Sequence, residues 1–570
     1  MKSFKNYIAE RISEASGVEK ARLIELIEVP PSPEMGDLAF PCYALARELR
    51  KPPALVAADL ITQIGPDEIV RRVEAAGPYV NFHLRHETVI ARTLGVIASQ
   101  KGSFGKNTVG AGKTIVIDYS SPNIAKPFGI GHLRSTVIGA ALKRIYQYQG
   151  YNVVGINHLG DWGTQFGKVI LAFKLWGDSA KLKESPIQHL YELYVRIHQE
   201  EENDPDMSRR TRQEFRKLEE GDAENLRLWR EFSDLSKQEF EKIYKMLDVS
   251  FEAVAGESFY NDMISGVQAK LENVGLLSES KEATIVDLER HGLPALLIKK
   301  SDDTTLYATR DLAAAIYRKE TYNFSRMLYV VGVAQTLYFQ QLFKVLGLLG
   351  FDWIKNCHHV SFGWVKLGDE MMSTRKGNIV FLEDVINKSI ALAKKKIRES
   401  SPDLPDPDRT AREVGIGAVV FADLAYRRET DISFDWDRML DFSGNSGPYL
   451  QYAHARISSV IRKYGRPLPE QFVASLLTLP EEYLIARKLA GYPEIIERAA
   501  DEFEPYHISS FLLELCALFN TYYQKYKSPG DRILSDDGEK TKSRIVLTSC
   551  IRDVLRSGLS ILGLKAPEMM

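Results

Sequence analysis

The segment 120–131 carries residue types suited to binding a phosphorylated ligand. Gly129 and Gly131 allow the backbone to approach a ligand closely, and His132 can donate a hydrogen bond to a phosphate oxygen. Lys126 adds a positive charge within reach of the same segment. The alternative interpretation is a glycine-rich turn in which the histidine only begins a helix.

The residues on either side of this segment predict a β-α-β unit. A short apolar run over 114–119 is typical of a buried strand, and a second one follows over 151–156. Between them, Leu133, Val137, Ala141 and Ile145 recur at every fourth position, which predicts a helix over 132–149 that ends at Gly150. The segment 120–131 therefore follows a strand and precedes a helix N-terminus, where open parallel sheets bind ligands and anions are favoured.

Two further loops fit the same pattern. The segment 157–167 follows the second predicted strand, and the segment 371–378 is a basic loop that contains a glycine. Apolar runs at 328–333 and 360–365 predict more strands, and 339–349 predicts a helix. A charge-rich stretch with helical periodicity over 180–250 interrupts the pattern. We therefore predict a Rossmann-type, doubly wound parallel α/β domain with a helical insertion.

The rest of the chain predicts two more domains. Residues 1–105 show helical periodicity at both ends and a turn with a strand pattern at 77–84, which indicates a small α+β domain. Helical patterns dominate from 386 to 570, which indicates an all-α domain after an α/β domain at 106–385. A chain of 570 residues is long enough for this division, since domains average roughly 150 residues.

Composition narrows the function classes. The 74 Lys and Arg residues nearly balance 76 Asp and Glu, which excludes a polycation but allows local basic surfaces. None of the four cysteines belongs to a C-x-x-C pair, so we expect neither a disulfide framework nor a metal site. We also expect a cytoplasmic protein, because the chain shows neither a signal-peptide pattern nor an apolar run of ~18–20 residues.

The order and spacing of these motifs resemble class I aminoacyl-tRNA synthetases, and specifically the arginyl-tRNA synthetase family. The segment 129–132 is similar to the family's HIGH motif, and 371–376 is similar to its KMSKS motif. Other similar segments lie at 121–126, 160–167, 307–311, 449–456 and 562–568. The resemblance covers essentially the whole chain, and it implies ATP-dependent ligation of L-arginine to its tRNA through arginyl-adenylate.

The resemblance also implies roles for individual residues. Those expected to bind ATP are Gly129, Ile130, Gly131, His132, Met372, Ser373 and Thr374. Those expected to bind arginine are Asn123, Glu257, Tyr307, Asp311 and Gln335. The two carboxylates suit a planar guanidinium with five donors, although Glu257 would also fit as a charge at a helix start and Tyr307 as a core residue. Mg²⁺ is expected to accompany the nucleotide.

Departures from the family motifs leave alternatives open. Gly129 stands where HIGH has its first histidine, and Met371 and Thr374 stand where KMSKS has its lysines. Catalysis needs positive charge at the leaving pyrophosphate, so we expect Lys126 to supply it, with Lys376 or Arg375 as alternatives. The missing lysines also fit a synthetase-like tRNA-binding protein without charging activity. A class I enzyme for another amino acid is the second alternative, against which the two carboxylates argue.

The segment 448–456 suggests where tRNA binds. Tyr449, Tyr452, His454 and Arg456 are aromatic and basic residues close in sequence, a combination common on surfaces that bind single-stranded RNA. A packed tyrosine-rich helix is the alternative. The family resemblance implies anticodon recognition in this domain, contacts to the tRNA elbow in the N-terminal domain, and a monomeric enzyme.

Overall fold

The structure is a computed structural model that describes residues 1–280, 283–299, 307–366, 380–433 and 435–570, with the backbone alone at 33, 205 and 307. The N-terminal part is a three-stranded antiparallel sheet, in the order β1-β3-β2, packed with helices. Its elements are α1 (Lys2–Ser16), α2 (Lys20–Ile24), β1 (Leu38–Pro41), α3 (Tyr43–Leu49), α4 (Pro53–Gln63), β2 (Val70–Ala76), β3 (Tyr79–Leu84) and α5 (His86–Gln100). The α+β prediction for this part is confirmed.

A five-stranded parallel sheet forms the centre of the molecule. Its order is β11-β10-β4-β5-β6, so the chain adds strands on one side of β4 and then returns to add β10 and β11 on the other. The first seven elements of this part are β4 (Thr114–Asp118), α6 (Gly131–Tyr148), β5 (Asn152–Asn157), α7 (Thr164–Trp176), α8 (Ser179–Glu184), α9 (Pro186–Asn203) and α10 (Pro205–Glu219). The predicted Rossmann-type order is thereby confirmed, with its switch point between β4 and β10.

The remaining elements of this part complete the sheet and add a smaller one. They are α11 (Ala223–Leu247), β6 (Ala253–Val254), α12 (Ile264–Asn273), β7 (Leu277–Ser280), β8 (Ala283–Val286), β9 (Leu296–Lys299), α13 (Tyr307–Tyr322), β10 (Arg326–Gly332), α14 (Thr336–Leu348), β11 (Cys357–Phe362) and β12 (Val365–Lys366). Helices α8 to α11 form the predicted insertion. The small antiparallel sheet β7-β8-β9 was not predicted, because its four-residue strands are half exposed and lack a clear apolar alternation.

The C-terminal part is almost entirely helical. Its elements are α15 (Leu382–Ser400), α16 (Pro407–Leu424), β13 (Ile432–Ser433), α17 (Trp436–Met439), α18 (Gly447–Tyr464), α19 (Pro480–Ala490), α20 (Tyr492–Asp501), α21 (Tyr506–Lys525) and α22 (Gly538–Leu562). The short strand β13 pairs with β12, which ties this part to the α/β domain. Among the helices described, none is apolar and long enough to cross a membrane.

Local sequence signals explain where the helices near the site begin and end. Ser446 caps α18 by accepting from the Tyr449 N–H at 3.1 Å, and Gly465 ends that helix in the left-handed conformation at φ 66°. Gly150, which follows α6, has φ 80° and closes the turn into β5 as predicted. Helix α6 therefore runs from the crevice side of the sheet, where its N-terminus lies, to the opposite edge.

Candidate active site

The first loop, residues 119–130, joins β4 to α6 at the switch point of the sheet, and because it leads into the HIGH-like motif it is also called the HIGH-like loop. Three of its non-glycine residues have left-handed backbones: Ser120 at φ 73°, Ser121 at φ 49° and Ala125 at φ 59°. Such conformations cost roughly 1–3 kcal/mol each and persist only where the surroundings hold them. Here backbone N–H groups are held by side chains, since Ser120 N–H donates to Ser135 Oγ at 2.8 Å and Ala125 N–H donates to Ser236 Oγ at 3.0 Å.

The first loop pairs with the segment 158–163, which follows β5. Ile124 N–H donates to the Gly160 carbonyl at 3.1 Å, and Gly160 N–H donates to the Pro122 carbonyl at 3.1 Å. A Cβ atom at position 160 would lie only 2.1 Å from Asn123 Oδ1, so the glycine is required by this close approach. The pairing explains why the two loops carry distinctive sequences and fixes Asn123 at the crevice.

His132 is a neutral hydrogen-bond donor. Its Nδ1 accepts from the Gly129 N–H at 3.2 Å, which leaves the proton of the neutral ring on Nε2. Burial, with a smaller contribution from the positive charge of Lys126, lowers the pKa of His132 to about 4. At neutral pH the ring therefore carries no charge, and its Nε2–H is available to an oxygen in the crevice.

Lys126 lies over an aromatic ring of the helical insertion. Its Nζ is 4.8 Å from the ring centroid of Tyr194 on α9, a residue that is 5% exposed. The influence of Lys126 on the pKa of His132 places the ammonium in the electrostatic environment of the same crevice. Lys126, Gly129, Ile130, Gly131 and His132 are thus brought together, as the sequence predicts.

The predicted late loop lies outside the described residues. This holds for Met371, Met372, Ser373, Thr374, Arg375 and Lys376. The chain that follows is described, however, and it pairs with the first loop. Ile130 N–H donates to the Val380 carbonyl at 3.1 Å, and Leu382 N–H donates to the Phe128 carbonyl at 2.9 Å. The residues after the late loop are therefore fixed to the HIGH-like loop.

The carboxyl groups of Asp311 and Glu257 interact electrostatically beside the segment 158–163, and the space between them is called the acidic pocket. Asp311, on the first turns of α13, accepts a hydrogen bond from the Tyr338 hydroxyl, and His158 Nε2 lies 3.7 Å from its Oδ1. Glu257 begins the 3₁₀ turn Glu257–Met263 after β6, and its buried Oε2 has no hydrogen-bond partner in the described part of the chain. An orphaned carboxylate oxygen of this kind is costly without a ligand.

In the acidic pocket, burial outweighs the positive charges of Arg310, which acts on Glu257, and Arg318, which acts on Asp311. Burial raises the pKa of Asp311, although His158 and Tyr338 oppose the shift. Burial raises the pKa of Glu257 well above its usual value, and the nearby Asp311 raises it further. A cation placed between the two groups would lower both pKa values and satisfy the free oxygen of Glu257. An arrangement of this kind can bind a cationic ligand.

A rigid frame positions Glu257. Asp161 accepts from the Ser258 N–H at 2.8 Å and from its hydroxyl at 2.7 Å, and Glu257 N–H donates to the Leu159 carbonyl at 3.0 Å. A Cβ atom at Gly256 would lie 2.3 Å from Asp161 Oδ2, so this position also requires glycine. Glu257 thus begins a 3₁₀ turn, as one of the two interpretations of the sequence predicts, and its role in binding arginine stays a prediction.

Two other residues predicted to bind arginine, Gln335 and Tyr307, stand at helix starts. Gln335 is exposed at the N-cap of α14, just after the carboxyl end of β10. Tyr307 begins α13 one helical turn before Asp311, but its side chain lies outside the described residues. Both positions stay predictions.

Sequence reasoning missed four residues that complete the crevice: His158, Asp161, Tyr194 and Tyr338. His158 and Asp161 directly follow the second strand, so their place at its carboxyl end was available as a signal. Tyr194 lies on α9 and Tyr338 on α14, two helices distant from the motifs in sequence. Nothing in the neighbouring sequence distinguishes these tyrosines from core tyrosines. Within the described ranges, no group of three or more His, Cys, Asp or Glu side chains is arranged to hold a metal ion.

Helix α18 carries the four residues predicted to bind RNA, but it does not present them together. Arg456 lies 4.7 Å from the ring centroid of Tyr452 and 5.7 Å from that of Tyr523, which makes an aromatic and cationic surface. Tyr449 is half-buried, and its hydroxyl accepts from Asn520 at 2.9 Å.

His454 is the exception on this helix. It is fully buried, and its ring pairs with the Pro567 carbonyl at 2.9 Å. The expectation that it lies on the RNA-binding surface is therefore wrong, because two residues along a helix turn a side chain to the opposite side.

Comparisons with known proteins cover the whole chain. Family models match at 2–84 (arginyl-tRNA synthetase N-terminal domain), 93–436 (class I tRNA synthetases (R), catalytic domain) and 450–570 (DALR anticodon binding domain). Similar relatives are the arginine–tRNA ligases of Alkaliphilus metalliredigens and Halothermothrix orenii, each 44% identical over 100% of both chains.

Solved structures agree with these relatives. The Thermus thermophilus arginyl-tRNA synthetase matches with a TM-score of 0.84 and 26% identity, over 99% of this chain and 100% of that one. The Plasmodium falciparum arginyl-tRNA synthetase, at 24% identity, shares the fold with a TM-score of 0.81, over 100% of this chain and 99% of that one.

Proposed function

The chain belongs to the class I arginyl-tRNA synthetase family. We propose that the crevice between the first loop and the acidic pocket is the active site, with ATP at the first loop and arginine in the acidic pocket. The enzyme ligates L-arginine to tRNA in an ATP-dependent reaction through arginyl-adenylate. Nothing in the comparisons favours a binding protein without charging activity. The observation that supports the site assignment best is the pair Glu257 and Asp311, whose raised pKa values and free oxygen call for a cation.

We assign arginine to the acidic pocket because its guanidinium group matches the two carboxyl groups there. Asp311 is held by Tyr338 and His158 and presents its carboxylate to one edge of the guanidinium, while Glu257 faces it from the 3₁₀ turn. Because a planar guanidinium donates in two directions, two carboxylates recognise it better than one. Binding favours the ionised form of Glu257, so the pocket releases a proton when arginine enters at a pH below its raised pKa.

The reacting end of arginine extends toward the first loop. Asn123, fixed by its contact with Gly160, and Gln335, just after β10, are proposed to bind the amino-acid end. Tyr307 is proposed to line the side-chain pocket, one helical turn from Asp311. With the guanidinium anchored, the carboxylate of arginine is directed at the α-phosphate of ATP. This orientation is the main contribution of the pocket to the rate.

ATP is assigned to the first loop and the N-terminus of α6. The backbone of 129–131 and the Nε2–H of His132 are proposed to hold phosphate oxygens, and a neutral histidine there donates without changing the charge of the site. Met372, Ser373 and Thr374 are proposed to complete the site. Mg²⁺ is proposed to arrive with ATP as part of that substrate, held chiefly by the phosphates and water, as is usual for this ion.

Adenylate formation is an in-line displacement. An oxygen of the arginine carboxylate forms a bond to the α-phosphorus, the bond to the bridging oxygen breaks, and pyrophosphate leaves with the negative charge. Lys126 is proposed to stabilise that charge in place of the missing KMSKS lysines. Lys376 and Arg375 are the alternatives. The terminal ribose hydroxyl of tRNA then attacks the arginyl carbonyl and releases AMP.

The proposed tRNA surface follows from the same family. Tyr452, Arg456 and Tyr449 on α18 are proposed to contact the anticodon stem-loop, and the match to an anticodon binding domain at 450–570 supports this. His454 is not included. We further propose domains at 1–105, 106–385 and 386–570, and a monomeric enzyme that acts in the cytoplasm.

A charging assay with side-chain analogues tests the pocket. The purified enzyme, its tRNA and ATP are incubated with arginine, lysine or citrulline, which is the neutral isostere of arginine. Arginine alone should be transferred at low concentration, because citrulline leaves both carboxylates without a cation and lysine offers only a point charge. Equal transfer of citrulline and arginine would show that Glu257 and Asp311 do not recognise the charge.

A further inference from the structure

Helix α9 of the insertion contacts Lys126 of the HIGH-like loop through a buried aromatic residue. Tyr194 is 5% exposed, and the Lys126 ammonium lies 4.8 Å from its ring centroid. One turn further along α9, the His198 ring contacts Tyr194 edge-on at 4.5 Å. The tyrosine ring is therefore supported on its own helix while it faces the loop.

We infer that Tyr194 is a positioning residue for adenylate formation, which holds the Lys126 ammonium where pyrophosphate departs. This inference rests on the role proposed above for Lys126. An aromatic ring attracts a cation through its quadrupole and carries no net charge, so it restrains the ammonium without neutralising it. A carboxylate in the same place would cancel the charge that the leaving group needs.

A second contact of α9 supports this assignment. Tyr191 lies three residues before Tyr194, on the same face of the helix, and its ring meets that of Phe381 at 6.4 Å and 88°. Phe381 follows Val380, whose carbonyl accepts from Ile130 of the HIGH-like loop. One face of the insertion thus contacts both the loop that carries Lys126 and the chain that leaves the late loop.

The same insertion offers a matched control. Arg196 lies over the ring of Trp176 at 4.1 Å from its centroid, which is a second cation–π pair on α9. Arg196 follows Tyr194 by two residues, so it projects from the other side of the helix. Loss of either aromatic ring removes a cation–π contact of similar distance, although Trp176 is less buried than Tyr194. Of these two rings, the one that contacts Lys126 is that of Tyr194.

The experiment is a double-mutant cycle on the rate of arginyl-adenylate formation with tRNA bound. The variants are Tyr194→Leu, Tyr194→Phe, Lys126→Gln, the double variant Lys126→Gln with Tyr194→Leu, and the control Trp176→Leu. Tyr194→Leu should slow the step by about 3- to 10-fold, as expected for loss of a partly desolvated cation–π contact. KM for arginine should stay unchanged, and Tyr194→Phe should retain the wild-type rate because its ring is intact.

Non-additivity separates positioning from packing. In the Lys126→Gln background, Tyr194→Leu should cause no further loss, and Trp176→Leu should leave the rate unchanged in the wild-type background. An equal loss in both backgrounds would overturn the inference and assign Tyr194 a structural role. A wild-type rate for Lys126→Gln alone would instead overturn the catalytic role of Lys126, a result that the cycle distinguishes.

Ring-fluorinated tyrosines at position 194 cover the case in which Tyr194→Leu does not fold. Fluorine weakens the ring quadrupole and changes its shape little. The rate should fall step by step with the number of fluorines when Lys126 is present and should not respond when it is replaced by glutamine. A flat response in the Lys126 protein would refute the inference.

Discussion

Replacement of Asp311 by asparagine isolates the charge of the arginine pocket. Asparagine keeps the size of the side chain and can still accept the hydrogen bond of the Tyr338 hydroxyl, so the pocket retains its shape. The guanidinium then faces Glu257 as its sole carboxylate among the groups assigned above. The perturbation therefore removes one charged partner and leaves the packing in place.

The size of the effect follows from the burial of the pair. Removing one partner of a buried charged pair costs about 2–5 kcal/mol. Since 28% of the Asp311 side chain stays exposed, solvent screens part of the interaction, and the lower half of that range applies. At about 1.4 kcal/mol per factor of ten, a loss of about 3 kcal/mol raises KM for arginine roughly 150-fold.

The assay is aminoacylation at varied arginine and at varied ATP. KM for arginine should rise strongly in Asp311→Asn, while KM for ATP should change little, because the nucleotide binds at the HIGH-like loop. Asp408→Asn serves as the control, since this aspartate pairs with Lys394 on the surface of α15 and α16. Equal increases in the two KM values, or none, would refute the assignment of Asp311 to the guanidinium.

Three further outcomes follow from the same structure. KM for arginine should rise as the pH is lowered through the raised pKa of Glu257, because the protonated group loses the charge that binds the guanidinium. Glu257→Gln should flatten this dependence, and a pH profile unchanged by that variant would contradict the assignment. Gly160→Ala should lower kcat/KM for arginine, because the new Cβ atom would displace Asn123. The control Gly266→Ala should leave kcat/KM unchanged, because no atom lies within 4 Å of its new Cβ, and equal activity of the two variants would count against the role of Asn123. Arg456→Ala should raise KM for tRNA and leave arginine-dependent parameters unchanged, and tRNA binding at the wild-type level would remove α18 from the interface.

Much of the fold could be predicted because its signals are local. The apolar run over 114–119, the four-residue periodicity of α6 and the position of Gly150 together specify the β-α-β unit, and the structure has β4, α6 and β5 within two residues of those bounds. The small sheet β7-β8-β9 escaped prediction, since short half-exposed strands carry no periodic apolar pattern. His454 was misplaced for a related reason, because a cluster of aromatic and basic residues in sequence does not indicate which side of a helix each one occupies.

By itself the sequence indicated the family and the residue types proposed to do the chemistry. Binding of phosphates and of a guanidinium requires particular residue types, and the HIGH-like segment, the two carboxylates and the spaced glycines can be recognised in the sequence directly. What only the tertiary structure decided is how these groups act on one another. Glu257 and Asp311 lie 54 residues apart in sequence, and the raised pKa of each arises from shared burial between separate elements.

The same holds for Lys126, whose aromatic partner Tyr194 comes from an inserted helix 68 residues later. Local periodicity fixes a helix or a strand because the interactions involved join near neighbours. Desolvation, ring contacts and coupled carboxylates depend on distances across the fold, and these are set only when the domains pack.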